Sequence, residues 1–363
     1  MNPRPTAQIK ASADDFVVEE LPAYAPSGQG SHLFVRFTKR NLTTEQAMAA
    51  LASALDTSVR DAGCAGMKDK VAVTTQTISL AIPPGVSAAS MVDRAHEVVL
   101  EGITVHEAVP HGNKLKPGHL AGYRFSIVVR GIERSRLPEV AASFERMGRE
   151  GVRNDFGSQR FGRDGQNAER ALAWLGGKAP APRSPYLRRL LFSSLQSVVF
   201  NDVLEQRVAD GTWATALEGD LLKVHASGGL FLCVDAPLDA ERALRGEVSP
   251  TGPMVGVKMR EPSGAPQALE RSAIDKRFAA DFDWAKTKAL GEGTRRPLRI
   301  HVDELTFEPM EGDLREERTG CRVTFVLPKG AYATTVLSQA VSLDQNAGES
   351  DGADRLREES PRT

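Results

Sequence analysis

Between positions 176 and 185 the chain reads Gly-Gly-Lys-Ala-Pro-Ala-Pro-Arg-Ser-Pro. Proline fixes φ and withholds a donor, and glycine leaves the backbone unconstrained, so no regular element is expected to run through this segment. A second break, Gly-Glu-Gly-Thr-Arg-Arg-Pro, occupies 291–297. With 363 residues the chain has length for two domains. The two breaks are therefore candidate domain boundaries.

The flanks and the middle carry different patterns. Residues 9–20 hold a short strand after an acidic turn. Residues 32–38 alternate, with Leu33, Val35 and Phe37 on one face of a half-buried strand. Thr43 or Thr44 caps a helix to about residue 55, and Ala47, Ala50, Leu51 and Leu55 form its apolar face. A strand-like run over 73–82, a helix over 88–98, a strand over 123–129 and a helix over 138–149 follow. This alternation with short connections predicts an α+β fold with a largely antiparallel sheet flanked by helices. Past the first break, 186–208 reads as one long helix, and strands over 221–224 and 230–234 surround a Ser-Gly-Gly turn. The prolines and glycines of 250–266 predict an irregular stretch, with helical patterning from about 267. A strand over 322–327 and a helix over 332–340 precede a polar, charged tail, 344–363, expected to be disordered.

Composition excludes several classes. Hydrophobic residues are 41% and charged residues 26%, ordinary for a globular protein. The net charge is −1, so binding to nucleic acid would need a local patch. Cys64, Cys233 and Cys321 are odd in number and widely spaced, which suggests neither a disulfide framework nor a metal site. No apolar leader or membrane-length apolar run is visible, so a cytoplasmic location and no membrane partner are expected.

Two stretches carry chemistry. In Gly-Met-Lys-Asp-Lys, 66–70, Asp69 lies between Lys68 and Lys70 just before a strand. Flanking ammonium groups favour the charged carboxylate, which can act as a nucleophile or base; the same pattern also suits a solvated turn. The second stretch, 154–163, is Asn-Asp-Phe-Gly-Ser-Gln-Arg-Phe-Gly-Arg. Aromatic faces beside arginines suit an unpaired base and its phosphate, whereas phenylalanines in a loop also plug a core. Arg188 and Arg189 could form a basic patch, and the solvated first turn of the helix is the reading preferred over it.

Four segments together, 10–20, 65–76, 154–162 and 325–336, resemble the TruD family of pseudouridine synthases, and 111–125 and 184–208 also look like family segments. The resemblance runs in the family's order to about residue 340. One position departs: Tyr123 stands where the family usually has Asn. The resemblance implies a pseudouridine-synthase catalytic domain over 1–177 and 310–343, interrupted by a smaller α/β insertion domain over 178–309, with RNA bound in the cleft. It places the catalytic aspartate on Asp69 and substrate-binding roles on Lys10, Phe16, Asn154 and Phe156. It implies isomerisation of uridine to pseudouridine in tRNA, at position 13 in bacterial members, with no cofactor and no metal, by a monomer. Candidate contacts to the RNA backbone are Lys68, Lys70, Lys114, Lys116, Arg160 and Arg163, with Arg183 and Arg188 beside them. Two other readings are a non-catalytic RNA-binding or tRNA-chaperone protein of the same fold, and a glycoside or nucleoside hydrolase. Asp69 argues against the first, because a carboxylate repels phosphate. The second lacks an evident partner carboxylate.

Overall fold

The computed structural model describes residues 3–162, 164–310 and 317–344. Arg163 and the tail beyond Asp344 lie outside the described residues. By contact the chain forms two units, Met1–Gly148 with Val302–Thr363, and Arg149–His301.

The first unit opens with β1 (Phe16–Pro22) and β2 (His32–Arg40), then α1 (Thr44–Ala54), β3 (Val73–Ala81), α2 (Ala88–His96), β4 (Ile103–His111), β5 (Leu120–Glu133) and α3 (Leu137–Glu150). Helix α1 begins where expected. Thr43 accepts from the Gln46 N–H while the Gln46 side chain accepts from the Thr43 N–H, a reciprocal cap.

The second unit contains α4 (Asn167–Leu175), α5 (Pro185–Ala209), β6 (Leu221–Val224), β7 (Leu230–Leu232), α6 (Ala236–Leu244), β8 (Val248–Met254), α7 (Gly264–Asp275) and β9 (Thr294–Pro297). The chain then re-enters the first unit through β10 (Asp303–Pro309), β11 (Arg318–Pro328) and α8 (Ala333–Ala340).

The main sheet runs in the order β10-β11-β5-β1-β3-β2-β4. Every neighbouring pair is antiparallel except β1 and β3, where Val17 pairs with Val73 and Glu19 with Thr75. Leu33, Val35 and Phe37 of β2 and Ile78 and Leu80 of β3 pack with Ala47 and Leu51 of α1, with Leu55 just after it, and with Met91 of α2. Each large side chain so buried contributes roughly 1.5–3 kcal/mol.

The units divide at Gly148 and His301 rather than at the compositional breaks. Packing explains the difference. Helix α4 buries Ala168, Ala171 and Leu175 with Leu191, Phe192 and Leu195 of α5, so it stays with the second unit. Strand β10 pairs with β11 and so stays with the first.

The stretch 250–266 corrects the reading of irregular chain. Its first part is β8, the third strand of the sheet β7-β6-β8-β9, with Val248 to Pro253 buried. Proline is tolerated because the sheet uses its carbonyl: Pro250 accepts from the Leu298 N–H at 2.9 Å. Gly252 lets the strand approach α5, since a Cβ there would lie 2.8 Å from the Leu298 side chain and 2.9 Å from the Phe200 ring.

Candidate active site

The pairing of β1 with β3 decides which chain ends meet in the first unit. Parallel neighbours start at the same end of a sheet, so the segments preceding Phe16 and Val73 are brought together. Strand β2 runs antiparallel to β3 and delivers its last residues to that end, with Lys39 opposite Thr74 and Arg40 opposite Val73.

Lys10 and Asp69 are carried by these segments. The Lys10 ammonium donates to Asp69 Oδ2 at 2.9 Å. The Asp69 side chain is 58% exposed and that of Lys10 only 18%. Lys10 has φ 60°, a left-handed conformation uncommon outside glycine. The turn after it is pinned by Asp15, whose carboxylate accepts from the Ser12 N–H at 3.1 Å and from two Arg130 nitrogens at 2.7 and 2.9 Å. The hydrogen bond from Arg130 holds the Asp15 carboxyl below its usual value, against the opposing effect of burial.

Phe16, expected to touch substrate, is 4% exposed. Its ring lies edge-on to Phe125 at 6.2 Å, and the Lys10 ammonium sits 4.3 Å from the ring centre. Phe16 is thus a core residue that supports Lys10 by a cation–π contact.

Below the loop lies a set of buried polar groups. Lys39 is 0% exposed and its ammonium donates to the Asp69 carbonyl at 2.6 Å. Burial lowers its pKa to about 8; Asp69 opposes the shift and Lys68 adds to it. Thr44 Oγ1 accepts from the Lys68 N–H at 2.9 Å and donates to Gln76 Oε1 at 3.2 Å.

Lys68, expected at the RNA backbone, is not available to a phosphate. Its ammonium is paired with Glu20 at 2.7 Å, the two side chains being 6% and 4% exposed. Glu20 also accepts from the Thr77 N–H, and Lys68 donates to the Gly66 carbonyl. The Tyr123 ring covers this pair, 4.7 Å from the Lys68 ammonium, and burial pushes its hydroxyl up to about 12. The departure at position 123 therefore has a structural role in packing the loop.

Among the other cations of the first unit, Lys70 and Lys116 are exposed and Lys114 donates to the Arg60 carbonyl at 3.3 Å. Arg183, in the second unit, is exposed, and Arg188 donates to the Pro182 carbonyl.

Asn154 and Phe156 lie in the second unit, together. The Asn154 amide donates to the Pro297 carbonyl at 2.8 Å, and its Oδ1 accepts from Arg296. Its side chain is thus committed to holding β9. Phe156 is half-buried, edge-on to Phe200 at 5.5 Å, with the Arg296 guanidinium 4.1 Å from its ring centre. Asn201 of α5 fixes its backbone at both N–H and carbonyl. Arg160 is tied to α5 by Ser193 and Ser197, so its guanidinium is not a free phosphate contact.

Arg296, Asn201 and Lys39 escaped the sequence reading. Only Lys39 left a signal, since alternation along β2 puts it on the inward face with Leu33, Val35 and Phe37. Among the described residues no three His, Cys, Asp or Glu side chains gather as a metal site. None of the helices described is long and apolar enough to cross a membrane. Chemically, the first unit offers an exposed carboxylate on a fixed loop with an ammonium at its side, able to attack an electrophilic carbon or to accept a proton.

The family model for tRNA pseudouridine synthase D (TruD) matches residues 2–173 and 177–340. The chain belongs to the TruD family. A tRNA pseudouridine synthase D of Anaeromyxobacter sp. strain Fw109-5 is 42% identical over 349 residues, covering 94% of this chain and 95% of that one. One from Thermus thermophilus is 36% identical over 343 residues, covering 93% and 89%. A solved structure from Methanosarcina mazei, described as TruD, superposes with a TM-score of 0.76 at 22% identity, covering 93% of this chain and 94% of that one. The fold is therefore the TruD fold, mixed α and β with antiparallel-rich sheets. The TruD match spans Lys10, Lys39, Asp69, Asn154, Phe156 and Arg296 alike.

Proposed function

We propose that this TruD chain converts uridine to pseudouridine at tRNA position 13, with Asp69 as the catalytic group. The observation that carries the reading is the exposed Asp69 carboxylate, paired with Lys10 at 2.9 Å, in a chain of this family. The reaction breaks the N1–C1′ bond, turns the uracil and joins C5 to C1′; the C5 proton leaves and N1, freed from the sugar, gains one. Asp69 attacks C1′ and is released as C5 joins that carbon, or it removes the C2′ proton and returns it after C5 has joined; both routes leave a product isomeric with the substrate. Lys10 orients the carboxylate and balances its charge. Phe156 is the ring assigned to stack on the detached uracil. Asn154 serves by holding the segment that carries Phe156, because both ends of its amide are already used. Extruding the base costs a few kcal/mol, which binding must offset. The active species is taken to be a monomer in the cytoplasm.

The test incubates purified protein with unmodified tRNA transcripts and maps pseudouridine by carbodiimide labelling and primer extension. A new stop at position 13 is expected, and none with Asp69→Ala. Free uracil would instead identify a hydrolase, and bound but unchanged RNA a non-catalytic binder. A stop that persists in the variant would sink the role of Asp69.

A further inference from the structure

Lys39 is an expensive residue to place where it is. Its strand neighbours on the same face, Leu33, Val35 and Phe37, are core residues, and the fold alone would be served by another apolar side chain. A buried ammonium costs free energy unless acceptors surround it. Here its hydrogen bond goes to a main-chain carbonyl, that of Asp69. The neighbouring polar atoms Thr74 Oγ1 and Gln76 Nε2 are buried and have no hydrogen-bond partner. Thr74 is the cross-strand partner of Lys39, and Gln76 is linked through Thr44 to the Lys68 N–H. Main-chain groups of two successive loop residues, the Lys68 N–H and the Asp69 carbonyl, are thus held by side chains of α1 and β2. The charged groups acting on Lys39 are Asp69 and Lys68.

We propose that Lys39 is a positioning residue, whose buried ammonium holds the Asp69 main chain and so sets where the carboxylate meets the ribose. The inference rests on the catalytic reading of Asp69. Lys39 itself touches no substrate, so its contribution is to geometry, where a displacement of an ångström costs about a hundredfold in rate.

The experiment compares wild type, Lys39→Met, Lys39→Gln and Asp69→Ala, full-length, on an unmodified tRNA transcript. It reads the single-turnover rate, the tRNA Kd by filter binding and the melting temperature. Lys39→Met is expected to lose about a hundredfold in rate. Its Kd should stay within about twofold and its melting temperature should be unchanged or higher, because a buried charge has been removed. Lys39→Gln, which keeps an N–H donor, should regain at least about a tenth of the wild-type rate. A merely structural lysine would lose rate and melting temperature together, and that result, including failure of Lys39→Met to fold, would overturn the proposal. Wild-type rate in Lys39→Met with Asp69→Ala inactive would overturn it alone. An active Asp69→Ala would overturn the catalytic reading and this inference with it.

Discussion

Lys39 and Lys68 lie under one loop and are both buried, yet they should respond differently to removal. Lys68 is matched by the Glu20 carboxylate, so Lys68→Met strands a buried charge. We expect a loss of about 3–5 kcal/mol in urea unfolding. A loss under about 1 kcal/mol would mean that water reaches Glu20. Lys39 is instead lowered from 10.5 to about 8 by burial. Between those two values the unfolded chain binds more protons than the folded one, so stability should rise as pH climbs through that window. The full rise is about 3 kcal/mol, and Lys39→Met should abolish it; urea midpoints at neutral and alkaline pH read it directly. The sequence made Asp69 legible because its flanking lysines and following strand are local. The partnership of Lys68 with Glu20 was not, because it joins residues 48 positions apart.

At the level of elements, period and capping revealed most of what is regular. The patterned strand over 32–38 is β2, lengthened to Arg40, and the helix read over 186–208 is α5, lengthened by a residue at each end. Strand β8 was hidden because its prolines and glycine are signals of irregular chain. Its sheet, whose neighbours lie far away in sequence, overrides them through close packing. That packing is testable. Gly252→Ala should destabilise the protein by about 1–3 kcal/mol, because the new methyl meets both Phe200 and Leu298. A variant with an unchanged denaturation midpoint would show that strand and helix can separate freely.

For the molecule as a whole, the near-zero net charge leaves tRNA binding to local cations. Arg160 and Lys68 are engaged internally, which shifts attention to the exposed Lys116, in a segment the family resemblance also marks. Lys116→Ala should weaken tRNA binding without changing the rate of the bound complex. It should also reduce the slope of log K against log salt by about 1. An unchanged slope would remove Lys116 from the interface. The contact units divide at Gly148 and His301 while the compositional breaks lie at 176–185 and 291–297, since a proline- or glycine-rich run does not tell which core its flanking elements join.

The lone parallel pair in the main sheet also governs when the site comes into being during synthesis. Lys10, Lys39 and Asp69 all precede residues 120–133 and 303–328, so they leave the ribosome before those strands. Strand β1, however, lies between β3 and β5, and one of its edges has no partner until residues 120–133 have been made. Their emergence ahead of those strands therefore confers no early assembly: the carboxylate and its ammonium, 59 positions apart, are held together by a sheet that residues 120–133 and 318–328 complete.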